Sequence, residues 1–203
     1  MPERRAAPAR RPTITERARR DQLIGLTIAL VAEHGYAATS LSRIAAAASI
    51  SKAAVLYHFA SKNAVVEAAY RSVVERLAAH VGPRVEAAAT PGAAVEAYAA
   101  GVIGYMAEHP DHVRMITEAL RTPEETRIED SPASASRWQV LASLIERAQA
   151  TGEYRGSADA RTLAIMVNGA IDAVVAESIE DPGYRLDEAA DAVIDLIRRT
   201  ARA

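Results

Sequence analysis

Apolar residues recur at three- and four-residue spacing along most of the chain, with no sustained period-two alternation, and alanine is the residue most often set between them. A 3.6-residue repeat gathers such positions on one helical face, and alanine is the strongest helix former, so the pattern predicts an all-α protein. The first helix is predicted to start near Thr13 or Thr15. Its apolar face is read as Ile14, Ala18, Leu23, Leu26, Ala29, Leu30 and Ala32. Gly35 supplies the left-handed position that commonly stops a helix, and Tyr36 is expected to pack back against that end.

Hydroxyl residues then mark a series of helix starts. Thr39 or Ser40 can cap a short helix from Leu41 to about Ala48, and Ser49 or Ser51 can cap another that runs to Phe59. Ser61 caps a fourth helix through Val65, Val66, Ala69, Val73 and Leu77, predicted to end before Gly82-Pro83. Downstream, proline and glycine punctuate the chain into helices over about 91–108, 110–121, 133–151, 157–179 and 186–202. Residues 122–132, with Glu124, Glu125, Glu129 and Asp130, read as a polar acidic loop of solvated charge. No internal repeat is present.

Charge divides the chain unevenly. Residues 1–62 hold 10 Lys+Arg against 4 Asp+Glu (net +6), leaving 14 against 22 (net −8) for the remainder. A basic head suggests a polyanionic partner and an acidic body does not. Residues 1–12, with three prolines and Arg4, Arg5, Arg10 and Arg11, read as a basic arm that either grips phosphates or only solubilises. The 203-residue chain has no cysteine, which excludes thiol redox chemistry, thiolate metal sites and a cysteine nucleophile. No apolar run is read as reaching the length of a membrane span, and the start lacks the apolar stretch of a secretory signal, so a cytoplasmic protein without membrane contact is expected.

The segment 41–59, LSRIAAAASISKAAVLYHF, has the layout of a helix-turn-helix: a short helix rich in small residues, a tight turn at Ser49-Ile50 and a second short helix. Ile44, Ala45, Ala48, Ile50, Val55 and Phe59 fall on inner faces. The outward face offers Ser51 and Lys52 as donors, Ala53 and Ala54 as small surfaces for a thymine methyl, and Tyr57 and His58 for phosphates. Ser40, Arg43 and Lys62 are assigned to the DNA backbone. The bland alternative, an ordinary helical hairpin in a core, leaves the basic charge of this segment unexplained.

SISKAAVLYHFASK, residues 49–62, resembles the recognition-helix signature of the TetR family of bacterial transcriptional regulators. ALVAEHGYAATSLSRIA resembles the end of that family's first helix, and ERAQATGEYR with LDEAADAVIDLIRR resembles, more loosely, its C-terminal helices. The chain departs from the pattern at Ser49, where glycine is common in the turn, and at Ala54, where a polar residue is frequent. The resemblance implies nine or ten helices, with a three-helix head and a larger body that binds a small ligand and dimerises through its last two long helices. It divides the chain into an arm, 1–12, a DNA-binding domain, 13–62, linked by a helix over 61–80, and a ligand-binding and dimerisation domain, 63–203. The implied function is a repressor released from a pseudo-palindromic operator by a small-molecule effector. The helix over 61–80 would be the lever between body and head.

Within the body, Tyr98, Tyr105, Met106, Met115, Trp138, Met166 and Asn168 are candidates to line an effector cavity, against the alternative that they simply fill core. His109, Asp111 and His112 flank Pro110 at a helix start, where a capping role suffices, so no metal is assigned. The helix over 157–179 is apolar on more than one face and needs a second cover, so a homodimer through 157–179 and 186–202 is expected. No phosphate loop, nucleophile elbow or metalloprotease motif occurs, and no catalysis or cofactor is expected beyond an effector of unknown identity. The alternative is a helical binding protein or small enzyme with a vestigial helix-turn-helix.

Overall fold

The structure, a computed structural model, describes residues 13–121, 126, 128, 135–181 and 183–201. Nine helices are found among the described residues: α1 (Ile14–Ala38), α2 (Leu41–Ala47), α3 (Lys52–His58), α4 (Lys62–Glu86), α5 (Pro91–Glu108), α6 (Pro110–Arg121), α7 (Ala135–Ala150), α8 (Ala160–Glu180) and α9 (Leu186–Ala201). The basic arm and the residues Glu124, Glu125, Glu129 and Asp130 lie outside the described residues.

Local side-chain chemistry sets most of the starts. Thr13 and Glu16 form a reciprocal capping box on α1. Ser40, Ser51, Ser61 and Thr90 each accept from the backbone N–H three residues ahead, which satisfies one donor that a helix start leaves over. Thr39, the other candidate cap of α2, is buried and donates to Gly35 O instead. Asp159 caps α8 and moves its start to Ala160.

Three apolar clusters hold the molecule together. The head core joins Leu23 of α1, Ile44, Ala45 and Ala48 around α2, and Val55, Phe59 and Val65 from α3 and α4. A junction core joins Ile28, Val31 and Tyr36 of α1 to Val66, Ala69, Tyr70 and Val73 of α4 and to Met115 and Ala119 of α6. The body core is built on α5, which packs against α4, α7, α8 and α9. Long helices α1 and α4 are therefore shared between the head and the junction.

Three expectations are corrected. The buried stripe of α1 is Leu23, Thr27, Ile28 and Val31, whereas Ile14 is 87% exposed and Ala18 and Ala29 face solvent: the head and junction cores take α1 only from Leu23 onward, and Ala29 lies on the side away from them. Helix α4 does not stop before Gly82-Pro83 but continues to Glu86. Proline removes one ladder N–H; Arg84 Nη1 donates to His80 O at 2.7 Å beside that gap, Val85 packs against the body core and Val81 is buried beside Gly101 of α5, which favours continuation. Finally, α8 taken as a whole helix is long and apolar enough, by length and composition only, to cross a membrane, although Asn168, Asp172 and Glu177 interrupt its apolar run.

Candidate nucleic-acid interface and body sites

The turn between α2 and α3 is a Schellman motif: Ile50 N–H donates to Ala45 O at 3.0 Å and Ser49 N–H to Ala46 O at 3.1 Å. Ser49 occupies the left-handed position with φ 55°, among the described residues the one non-glycine with positive φ. This closes α2 tightly and sends the chain into Ser51, the cap of α3. Val55 and Phe59, both buried, anchor α3 against α1 and α4, so its opposite face is presented outward.

That outward face carries the residues expected there. Ser51, Lys52, Ala53 and Tyr57 are exposed, Tyr57 at 72%, and Ala54 and His58 are half-buried. The Tyr57 and His58 rings meet edge-on at 5.1 Å between centroids. Ser40 and Arg43 are exposed at the start of α2, where Arg43 Nη1 donates to Ala38 O at 3.1 Å. Six of the nine predicted contact residues, Ser51, Lys52, Ala53, Ala54, Tyr57 and His58, thus lie on α3 or at its cap, and Ser40 and Arg43 lie apart at the start of α2. Lys62 differs: its ammonium donates to Tyr36 O at 2.6 Å and lies 3.7 Å from the Tyr36 ring centroid, so it clamps α4 to the end of α1. A carbonyl at a helix end and an aromatic face are both good partners for a cation.

Two positioning residues carried no signal in the local sequence. Arg20 donates through Nη1 to His58 O and stacks its guanidinium 4.1 Å over the Phe59 ring, fixing the end of α3 to α1. Glu16 accepts from the Tyr57 hydroxyl at 3.0 Å, which holds that exposed ring against the first turn of α1. In both pairs the partners are about forty positions apart, 38 and 41 respectively, and α1 brings them together.

In the body, the seven candidate cavity residues do not converge. Tyr98 Oη donates to Asn168 Oδ1 at 3.4 Å, Asn168 Nδ2 donates to Arg137 O at 2.8 Å, and burial pushes the Tyr98 phenol up from its ordinary pKa. Trp138 sits nearby under the Arg161 guanidinium, 4.7 Å from its ring centroid, and its buried Nε1 has no hydrogen-bond partner. Met115 is wholly buried in the junction core, and Met166 is 56% exposed on α8. An open cavity of about 380 Å³ lies instead between the α5–α6 elbow, the end of α8 and the start of α9. Of the seven candidates it takes only Met106, together with residues such as Val113, Arg114, Ile179, Tyr184 and Leu186.

At the same elbow, Tyr105 Oη and His112 Nδ1 are 2.8 Å apart, and burial holds the His112 imidazole below its ordinary pKa, against the opposing pull of Asp111. His109, Asp111 and His112 place their ligating atoms within 4.8 Å of one another.

Comparison with known proteins agrees with this layout. A family model described as "Bacterial regulatory proteins, tetR family" matches residues 23–69, and one described as "Tetracyclin repressor-like, C-terminal domain" matches residues 94–202. No curated relative matches the chain by sequence. Among solved structures, the fatty acid degradation regulator FadR from Bacillus halodurans is similar at TM-score 0.79 and 19% identity, over 93% of this chain and 96% of that one. A TetR-like transcriptional regulator from Rhodococcus sp. RHA1 reaches 0.73 at 20% identity, over 94% and 97%. FadR from Bacillus subtilis, solved in complex with stearoyl-CoA, reaches 0.75 at 18% identity, over 87% and 96%.

Proposed function

Since the chain belongs to the TetR family of bacterial transcriptional regulators, we propose that it works as a homodimeric repressor released from its operator by a small effector. The observation that carries this is α3, a two-turn helix anchored by Val55 and Phe59 and presenting Ser51, Lys52, Ala53 and Ala54 outward. In the major groove, Ser51 and Lys52 would donate to base edges, and Ala53 and Ala54 would meet thymine methyls. Ser40, Arg43, Tyr57 and His58 would lie against phosphates, and Lys62 would support them by fixing α4 to Tyr36. Regulation rather than catalysis is the role this family membership supports, and the cytoplasm is its setting.

Dimerisation supplies the second reading head. Ile165 and Met166 on α8 and Leu196 on α9 are large, apolar and 42%, 56% and 49% exposed, a face suited to a second copy of the chain. Two heads related by a two-fold axis require half-sites about 34–36 Å apart, or a multiple of that, and hence a pseudo-palindromic operator. The open cavity at the α5–α6 elbow supports a small effector with an apolar part against Met106, Val113 and Leu186 and a polar end near Arg114. Such an effector would act through α4 if it binds one spacing of the heads better than the other.

The test is binding of the purified protein to the DNA immediately upstream of its own gene, with a salt titration and a scrambled duplex as control. Selective, salt-sensitive binding by a dimer is expected. Absence of binding to either duplex at low salt would overturn the reading.

A further inference from the structure

The elbow between α5 and α6 holds a set of donors that neither the DNA-facing head nor the dimer face uses. His109 caps the end of α5, and Pro110 turns the chain at once into α6, whose first turn carries Asp111 and His112. The two imidazole rings lie nearly parallel, 4.9 Å between centroids and 22° between planes. His112 Nε2 is 3.9 Å from Asp111 Oδ2, and one ligating atom from each of the three residues falls within 4.8 Å of the others.

We propose that His109, Asp111 and His112 form a binding site for a divalent first-row transition-metal ion such as Zn²⁺, with a fourth position open to water. Two imidazoles and a carboxylate make a donor set of the hardness such ions take. Tetrahedral coordination at about 2.0–2.1 Å per bond places ligand atoms about 3.4 Å apart. Closure from separations of up to 4.8 Å asks an adjustment of up to about 1.4 Å. Asp111 and His109 can supply it, since the Asp111 side chain is half exposed and His109 is only half-buried.

Tyr105 makes the arrangement more than a chance cluster. Its hydroxyl lies 2.8 Å from His112 Nδ1, so that nitrogen already has a partner, and with its proton on Nδ1 the buried ring offers Nε2 on the Asp111 side. A second hydrogen bond that fixes tautomer and ring orientation is the usual companion of a ligating histidine. The His80 ring of α4 also meets Tyr105, at 5.2 Å between centroids, so the elbow is braced by a third helix. The last carbonyls of α5 favour a cation here, and the Asp111 carboxylate offsets the opposing start of α6.

The experiment is titration of Co²⁺ into untagged, chelator-stripped full-length protein, followed by its visible absorption and by displacement with Zn²⁺. One equivalent per chain with the intense bands of tetrahedral cobalt is expected. His109→Ala and Asp111→Asn, which leave the body core intact, should each weaken binding by roughly 100-fold or more. Tyr105→Phe should weaken it about 10-fold, the lower end for loss of an orienting partner. His112→Gln should abolish the bands, with circular dichroism showing that the variant stays folded. If that variant unfolds, His109→Ala and Asp111→Asn decide alone. No saturable binding, or an affinity unchanged in both of those variants, would overturn the site. The result is independent of operator binding.

Discussion

The backbone N–H of Tyr36 donates to Glu118 Oε2 at 3.1 Å, across 82 positions of sequence. Gly35 makes this possible: its φ of 78° turns the end of α1 so that the Tyr36 amide faces α6, and a Cβ at Gly35 would stand 3.0 Å from the same oxygen. Tyr36 is itself buried in the junction core and donates its hydroxyl to Asn63 Oδ1 at 2.7 Å. The end of α1, the start of α4 and the body helix α6 therefore meet at one residue, where a shift of the body would be felt by the head.

Glu118→Ala is expected to lower the unfolding free energy by about 1–2 kcal/mol, the worth of a partly exposed hydrogen bond to a charged acceptor. Thermal denaturation should show a drop of about 2–8 °C for a chain of this size. Glu118→Gln keeps an oxygen acceptor and should lose less than half of that. Equal melting temperatures for the native protein and Glu118→Ala would mean that the head and body are not tied here.

Ser49→Gly should stabilise the head. A left-handed backbone costs a non-glycine residue about 1–2 kcal/mol, and glycine's greater freedom in the unfolded chain returns roughly 0.5–1 kcal/mol of that. A net gain of about 0.5–1 kcal/mol is expected, read as a higher denaturant midpoint with unchanged slope. A loss of stability would show that the Ser49 side chain contributes more than its backbone strain costs.

Lys62→Ala separates two roles. As the clamp on Tyr36 seen in the structure, Lys62 should cost about 1 kcal/mol of stability when removed and leave the salt dependence of DNA binding unchanged. A slope of log affinity on log salt reduced by about one would instead place its ammonium on a phosphate in the complex.

What the sequence made legible follows the range of the forces involved. The caps at Ser40, Ser51, Ser61 and Thr90 were readable because each acts on an amide three residues away. The outward face of α3 was readable because Val55 and Phe59 fix its phase. The passage of α4 through Pro83 was not, since burial of Val81 and Val85 against other helices decides it. Ile14 and Met166 show a related limit: periodicity marks a residue as apolar without telling whether its own chain covers it. Arg20 on His58 O and Glu118 on Tyr36 join elements far apart in sequence and left no local trace. His109, Asp111 and His112 were visible as a spacing, yet only the elbow shows their donor atoms drawn together.

The apolar face of α8 and α9 gives the last prediction. A charge at the centre of an interface between two copies is buried without a partner, which costs several kcal/mol per dimer because both copies carry it. Met166→Asp, at a position 56% exposed in the single chain, should therefore leave the fold of each chain intact while dissociating the dimer at micromolar concentration. Light scattering after size exclusion should report one chain's mass, 21.6 kDa, for the variant and twice that for the native protein. Operator binding should weaken steeply with it, since a single head keeps only one half-site. A variant that stays dimeric would move the interface off this face, and α8 would then need another explanation for an apolar surface left in solvent.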